Sequence, residues 1–154
     1  MKKLYAAYGS NLNIEQMDYR CPAAKICGKG IIKDYRLLFK GMTDSAYLTI
    51  EPSQGKKVPV LVWEIGPEDE KALDRYEGYP NFYYKKDIPV KLETGEMVTA
   101  MVYIMTDKIK DRTDLNLPSR MYWEIVLGGY QSAGFDPDFL GEAFDISTEA
   151  ADGR

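Results

Sequence analysis

This chain of 154 residues contains no histidine. That removes Ser-His-Asp and Cys-His nucleophiles at a stroke, and with them most catalytic zinc sites, which draw on imidazole. Cysteine is scarce. Cys21 and Cys27 stand six positions apart, fit neither CxxC redox spacing nor a zinc-ligand pattern, and read as two reduced thiols. The glycine patterns GxxxxGK[ST] and GxGxxG are both missing, so a phosphate-cradling loop of either type is not expected. No apolar run approaches the roughly 20 residues of a membrane span. The start of the chain carries two lysines without a signal-type apolar stretch, which makes a cytoplasmic protein with no membrane partner the expectation. Basic residues recur only as the pairs Lys2-Lys3, Lys56-Lys57 and Lys85-Lys86, within a net charge of -4. That pattern argues against a nucleic-acid partner. An enzyme with this composition takes its acid-base group from a carboxylate, Tyr, Lys or Cys, and no metal or other cofactor is implied.

What the chain has in quantity is tyrosine, twelve in all, on an ordinary background of 45% apolar and 29% charged residues. Those tyrosines suit a polar-aromatic pocket, or equally half-buried strand positions. The length predicts one domain, drawn here as residues 1–146 with a frayed tail over 147–154.

Short apolar Leu4–Tyr8 reads as a buried strand. Asn11 is placed to cap a helix from about Asn13 to Tyr19, which Cys21-Pro22 ends. Lys25–Lys40 reads as a strand with bends or bulges at Gly28 and Gly30. Ala46–Ile50 and Val58–Ile65 read as two further strands separated by a turn over Glu51–Lys57, with Pro59 near an edge or a strand start. Gly66-Pro67 followed by three acids signals a helix start, and the helix runs to about Glu77 before Gly78. Tyr83–Leu92 and Met97–Met105 form a hairpin about Glu93–Glu96, and Asp107–Leu117 reads as a polar loop. Pro118-Ser119 opens a helix from Arg120 to about Ser132, and Asp136-Pro137 opens a short one to about Phe144. The order predicts an α+β fold, a strongly bent sheet or small barrel with helices packed outside.

Two stretches could carry chemistry. In YGSNL, at positions 8–12, Gly9 frees the backbone for a tight turn. The N–H groups of Ser10, Asn11 and Leu12 could then converge on an anion beside Tyr8. A plain strand–turn–helix connection would look the same. In LDRYEG, at positions 73–78, Glu77 lies four residues after Leu73 and so projects near the apolar face. A carboxylate there is costly unless paired or functional, and burial would raise its pKa toward that of a general base and acid. Alternatively Glu77 reaches solvent, or pairs with Arg75 or a lysine. Tyr83 and Tyr84 fall on opposite faces of their strand, so at most one of them enters a given pocket.

Taken in order, YAAYGSNLN, VLVWEI, LDRYEGYPNFYYKKDIPV, VYIM and PSRMYWEIVLGGY resemble the gamma-glutamyl cyclotransferase family, AIG2-like proteins included, over about positions 3–135. The resemblance implies a strongly bent mixed sheet closing into a small barrel, with substrate bound at its mouth by Tyr8, Gly9, Ser10, Asn11 and Leu12. It also implies catalysis by Glu77, with Tyr83 and Tyr103 as pocket tyrosines and no metal. The implied reaction is intramolecular: the α-amine of a γ-glutamyl substrate attacks its own γ-carbonyl, releasing 5-oxoproline and a free amine. Gly41–Ser45, Tyr79–Phe82 and Asp107–Leu117 are the loops expected around the leaving group, and the sequence fixes neither that group nor an oligomeric state. The competing readings are a non-catalytic small-molecule binder on the same scaffold and an interaction module using Trp123 or Tyr130.

Overall fold

The computed structural model describes residues 2–107 and 114–152. Five strands, β1 (Lys3–Ala7), β2 (Lys25–Lys40), β3 (Tyr47–Ile65), β4 (Tyr83–Leu92) and β5 (Met97–Met105), close into a barrel in the order β1-β3-β2-β4-β5. All pairings are antiparallel except the closing one, where β1 lies parallel to β5 with Tyr5 opposite Met101. The sheet is therefore mixed, and the expected α+β barrel is the fold observed.

The expected turn at Glu51–Lys57 does not divide two strands. β3 runs unbroken through it, and the pairing with β2 jumps from Lys33↔Lys57 to Tyr35↔Pro52. Asp34 and Gly55 supply the left-handed backbone there (φ 63° and 83°), and the Asp34 carboxylate accepts the Gly55 N–H at 3.0 Å. The turn-forming residues thus make a bulge, which bends both strands without reversing either. A second irregularity, between Ile26 and Gly28, falls where the glycines led one to expect it. Pro59 lies inside β3, but β1 reaches only as far as Leu61, so its missing N–H falls where β3 has just one neighbour.

Four helices pack outside: α1 (Ile14–Arg20), α2 (Pro67–Glu77), α3 (Arg120–Ala133) and α4 (Asp138–Asp152). The cap of α1 is Asn13, whose side chain accepts the Gln16 N–H at 3.3 Å. Asn11, expected in that role, sits instead in a single 3-10 turn, Ser10–Leu12. α3 starts at its Ser119 cap as expected. α4 outruns the expected end at Phe144 and carries the segment read as a frayed tail through to Asp152. Ser147 is fully buried on it, 3.4 Å from the Phe39 carbonyl. Trp123 packs between Phe39 and Phe144, and Tyr130 is fully buried, so Tyr130 is not available for an external interface. Among the described residues no helix is long and apolar enough to cross a membrane. The polar loop read over Asp107–Leu117 lies in part, at 108–113, outside the described residues.

Candidate active site

The end of β1 delivers Tyr8 and Gly9 to the barrel mouth, and the 3-10 turn follows at once. The N–H of Leu12 bonds back to the Gly9 carbonyl at 3.0 Å, and that of Asn13 to Ser10 at 3.0 Å. Leu12 therefore has no free N–H for a ligand. Its side chain is fully buried beneath α3, where a Cβ on Gly129 would come within 2.9 Å of it. Leu12 was expected among the binding residues, but it anchors the turn from below and does not line the pocket. Ser10 and Asn11, the first two residues of the turn, are left with N–H groups that the turn itself cannot satisfy.

α2 approaches from the other side. Glu70, Asp74 and Glu77 fall at i, i+4 and i+7 and share one face of it. Lys85 bonds Glu70 at 2.8 Å and Asp74 at 3.1 Å, and Lys3 also reaches Glu70. Burial works against the charge of Glu70, but hydrogen bonds from Lys85 and Lys3 outweigh it and hold its carboxyl below the usual range. Asp74 accepts the Tyr103 hydroxyl at 2.7 Å. These contacts clamp the helix to β1, β4 and β5. The third acid on the face, Glu77, makes no hydrogen bond and no ion pair among the described residues. Burial pushes its pKa up to about 7, against a smaller opposing pull from the Arg20 charge. Gly78, left-handed at φ 65°, ends the helix immediately after it, a conformation glycine adopts without strain.

The two stretches meet. The Ser10 hydroxyl lies 2.9 Å from that of Tyr76, the residue before Glu77. Between them is a cavity of about 270 Å³, just under the usual range of small-molecule sites. Tyr8, Gly9, Ser10, Asn11, Glu77, Tyr83 and Tyr103 all line it. Every site residue read from the sequence except Leu12 is thus gathered in one place. Tyr83 is buried while Tyr84 is exposed, as strand alternation requires. Of the loops expected around a leaving group, only Phe82 of Tyr79–Phe82 reaches the cavity among the described residues, joined by Tyr47 of β3 and Tyr122 of α3.

Three participants escaped sequence reasoning: Tyr5, Arg20 and Tyr76. Tyr5 lies on the short apolar strand and looked like core. Arg20 ends α1, where it binds the Asn11 carbonyl oxygen and lies 3.4 Å over the Tyr76 ring. Its place at a helix C-terminus gave no sign that it reaches back to the loop before the helix. Among the described residues no three His, Cys, Asp or Glu side chains gather so as to hold a metal ion.

A concave polar-aromatic cavity with one unpaired carboxylate poised near neutral pH is suited to acid-base chemistry on a small molecule. Comparisons with known proteins give the family. The family model for gamma-glutamyl cyclotransferase, AIG2-like, matches residues 5–124. Gamma-glutamylcyclotransferases of mouse and human are each 28% identical over 144 residues, covering 88% of this chain and 74% of the relative. A solved structure of a gamma-glutamyl cyclotransferase superposes with a TM-score of 0.80 at 26% identity, covering 93% of this chain and 86% of the other. The chain belongs to the gamma-glutamyl cyclotransferase, AIG2-like family, and so to a family of enzymes.

Proposed function

We propose that this protein converts a γ-glutamyl compound to 5-oxoproline and a free amine, with Glu77 moving the protons. The observation that carries the reading is the state of Glu77: unpaired, buried enough to bind a proton near pH 7, and facing the YGSN turn across a small cavity. A general base works best when its pKa lies near the operating pH.

The substrate brings its own nucleophile, which suits a chain with no histidine. Glu77 takes a proton from the α-ammonium. The freed amine attacks the γ-carbonyl, forming a carbon–nitrogen bond and a tetrahedral oxyanion. The former amide carbon–nitrogen bond then breaks. Over the cycle two protons leave the attacking nitrogen and two arrive at the departing one, so neither water nor net acid is consumed. Holding the glutamyl chain folded supplies the proximity that a five-membered ring closure needs. The Ser10 and Asn11 N–H groups are the proposed partners of the α-carboxylate, with the Tyr8, Tyr83 and Tyr103 rings walling the glutamyl chain. Two free cysteines, Cys21 and Cys27, fit work in a reducing cytoplasm.

The test is 5-oxoproline release, measured by mass spectrometry over γ-glutamyl amino acids, γ-glutamyl amines and glutathione, with Glu77→Gln as control. Release by the wild type alone is the expected result. Binding of γ-glutamyl compounds without release from any of them would instead favour a non-catalytic binder.

A further inference from the structure

The cyclotransferase reading leaves open what stabilises the oxyanion, and the hydroxyl hydrogens of the pocket narrow the choice. A tyrosine has one hydrogen to give. Tyr8 gives its own to the Tyr103 carbonyl at 2.6 Å, Tyr83 to the Leu48 carbonyl at 2.8 Å, and Tyr103 to Asp74 at 2.7 Å. All three tyrosines singled out by the sequence are therefore already committed as donors within the protein.

Tyr5 is different. The Arg20 guanidinium can only donate, so the Asn11 side-chain atom facing it must be the carbonyl oxygen, which turns the Asn11 amide nitrogen toward Tyr5. That nitrogen donates to the Tyr5 hydroxyl at 2.9 Å. Tyr5 is thus an acceptor in this bond, and its own hydrogen has no acceptor among the described residues. It is 3% exposed and lines the cavity. A buried donor without a partner is costly, and the cavity is the place where a partner can arrive.

We infer that Tyr5 is a catalytic residue, donating its hydroxyl hydrogen to the γ-oxyanion of the tetrahedral intermediate at the end of a chain Arg20–Asn11–Tyr5. Three features favour this role. The chain begins at a full positive charge, and successive hydrogen bonds polarise one another toward its end. Tyr5 is held protonated by burial and by the nearby charge of Glu77. That same charge sorts the candidate ligands. A permanent α-carboxylate beside Tyr5 would face an ionised Glu77, whereas the oxyanion forms only once Glu77 has taken its proton. Tyr122 also has a hydrogen without a described acceptor. Its hydroxyl accepts from the Leu48 N–H at 3.1 Å and stands 3.3 Å from where a Gly9 Cβ would be. It is fed by a neutral peptide group and sits on the side of the turn, the place for ground-state binding.

The inference rests on the cyclotransferase reading, and one set of kinetics separates the two. Tyr5→Phe keeps the ring, which meets Tyr103 edge to face, and removes only the donor. With the preferred γ-glutamyl substrate, kcat is expected to fall about a hundredfold, the usual effect of losing one oxyanion donor, with KM within about threefold. Arg20→Lys is expected to retain more kcat than Arg20→Met, because a cation still heads the chain. An unchanged kcat in Tyr5→Phe, or a loss confined to KM, overturns the inference while leaving Glu77 in place. No 5-oxoproline from the wild type overturns both. Circular dichroism and thermal melting of Tyr5→Phe identify a folding defect, and if one is found Arg20→Met read against Arg20→Lys decides.

Discussion

Replacing Glu77 by glutamine should make the protein both inactive and more stable, and the stabilisation should depend on pH in a calculable way. In the unfolded chain a glutamate titrates near its ordinary 4.5, whereas in the fold burial raises Glu77 to about 7. The folded state therefore holds this proton more tightly, and stability falls as pH rises from about 4.5 to about 7. At about 1.4 kcal/mol for each tenfold difference in proton affinity, ionised Glu77 costs the fold up to about 3 kcal/mol above pH 7. Glutamine has nearly the same shape and never ionises. At pH 8 the variant should gain nearly that whole amount over wild type, and at pH 5 less than about 1 kcal/mol. For a domain of this size the pH 8 difference corresponds to roughly 6–12 °C in Tm. Urea unfolding of both proteins at the two pH values, analysed with a shared m-value, reads it directly. A gain that is the same at pH 5 and pH 8, or a loss at pH 8, would show that Glu77 is not held in the fold as a costly anion.

Other expectations concern the same site and its supports. The kcat/KM of the wild type should drop as pH falls below about 7, where Glu77 becomes protonated, and Arg20→Met should move that limb to higher pH, since the Arg20 charge favours ionised Glu77; a fixed limb in the rate profile would separate Arg20 from Glu77. Gly129→Ala should cost about 1–3 kcal/mol through overpacking and lower turnover as well, because its Cβ would come within 2.9 Å of the Asn13 nitrogen and of Leu12; denaturation plus kinetics will report both, and a stable, fully active variant would show that α3 does not hold the turn. Iodoacetamide at pH 8 should modify exposed Cys27 and spare Cys21, which burial and the neighbouring Asp69 charge push up to about 11; peptide mapping locates the label, and activity should be unchanged.

The parts of this fold that could be read from the chain are those fixed by local rules. α2 announces both its ends, with Pro67 and three acids at one and Gly78 at the other, and Gly78 in turn fixes Glu77 as the last helical residue. The β4–β5 hairpin has a polar turn between an alternating run and a strongly apolar one. The failures share a cause in long-range contacts. Pro52 and Gly55 look the same in a turn and in a bulge, and only the matching irregularity at Asp34 on β2 decides between them. Ile146-Ser147-Thr148 weakens a helix by propensity, yet packing on the barrel carries α4 through it. Within the site, the motif residues that line the cavity were legible, Leu12 excepted. Tyr5 and Arg20 were not, because what marks them is the direction of hydrogen bonds between positions brought together only by folding.

The barrel closes on a single parallel contact, Tyr5 to Met101, and this sets when the protein can begin to work. The first strand leaves the ribosome early but has no neighbour on its closing side until β5 follows, more than ninety residues later. Chains emerge at about 5–20 residues per second, so that wait lasts several seconds or more. Throughout it the YGSN turn lacks the wall that Tyr103 provides, and α3, which buries Leu12 from outside, is made later still. A nascent or truncated chain ending before Met97 would carry both recognisable motifs and yet have no enclosed cavity. Competence thus arrives late, once the first strand has joined the last and α3 has closed over Leu12.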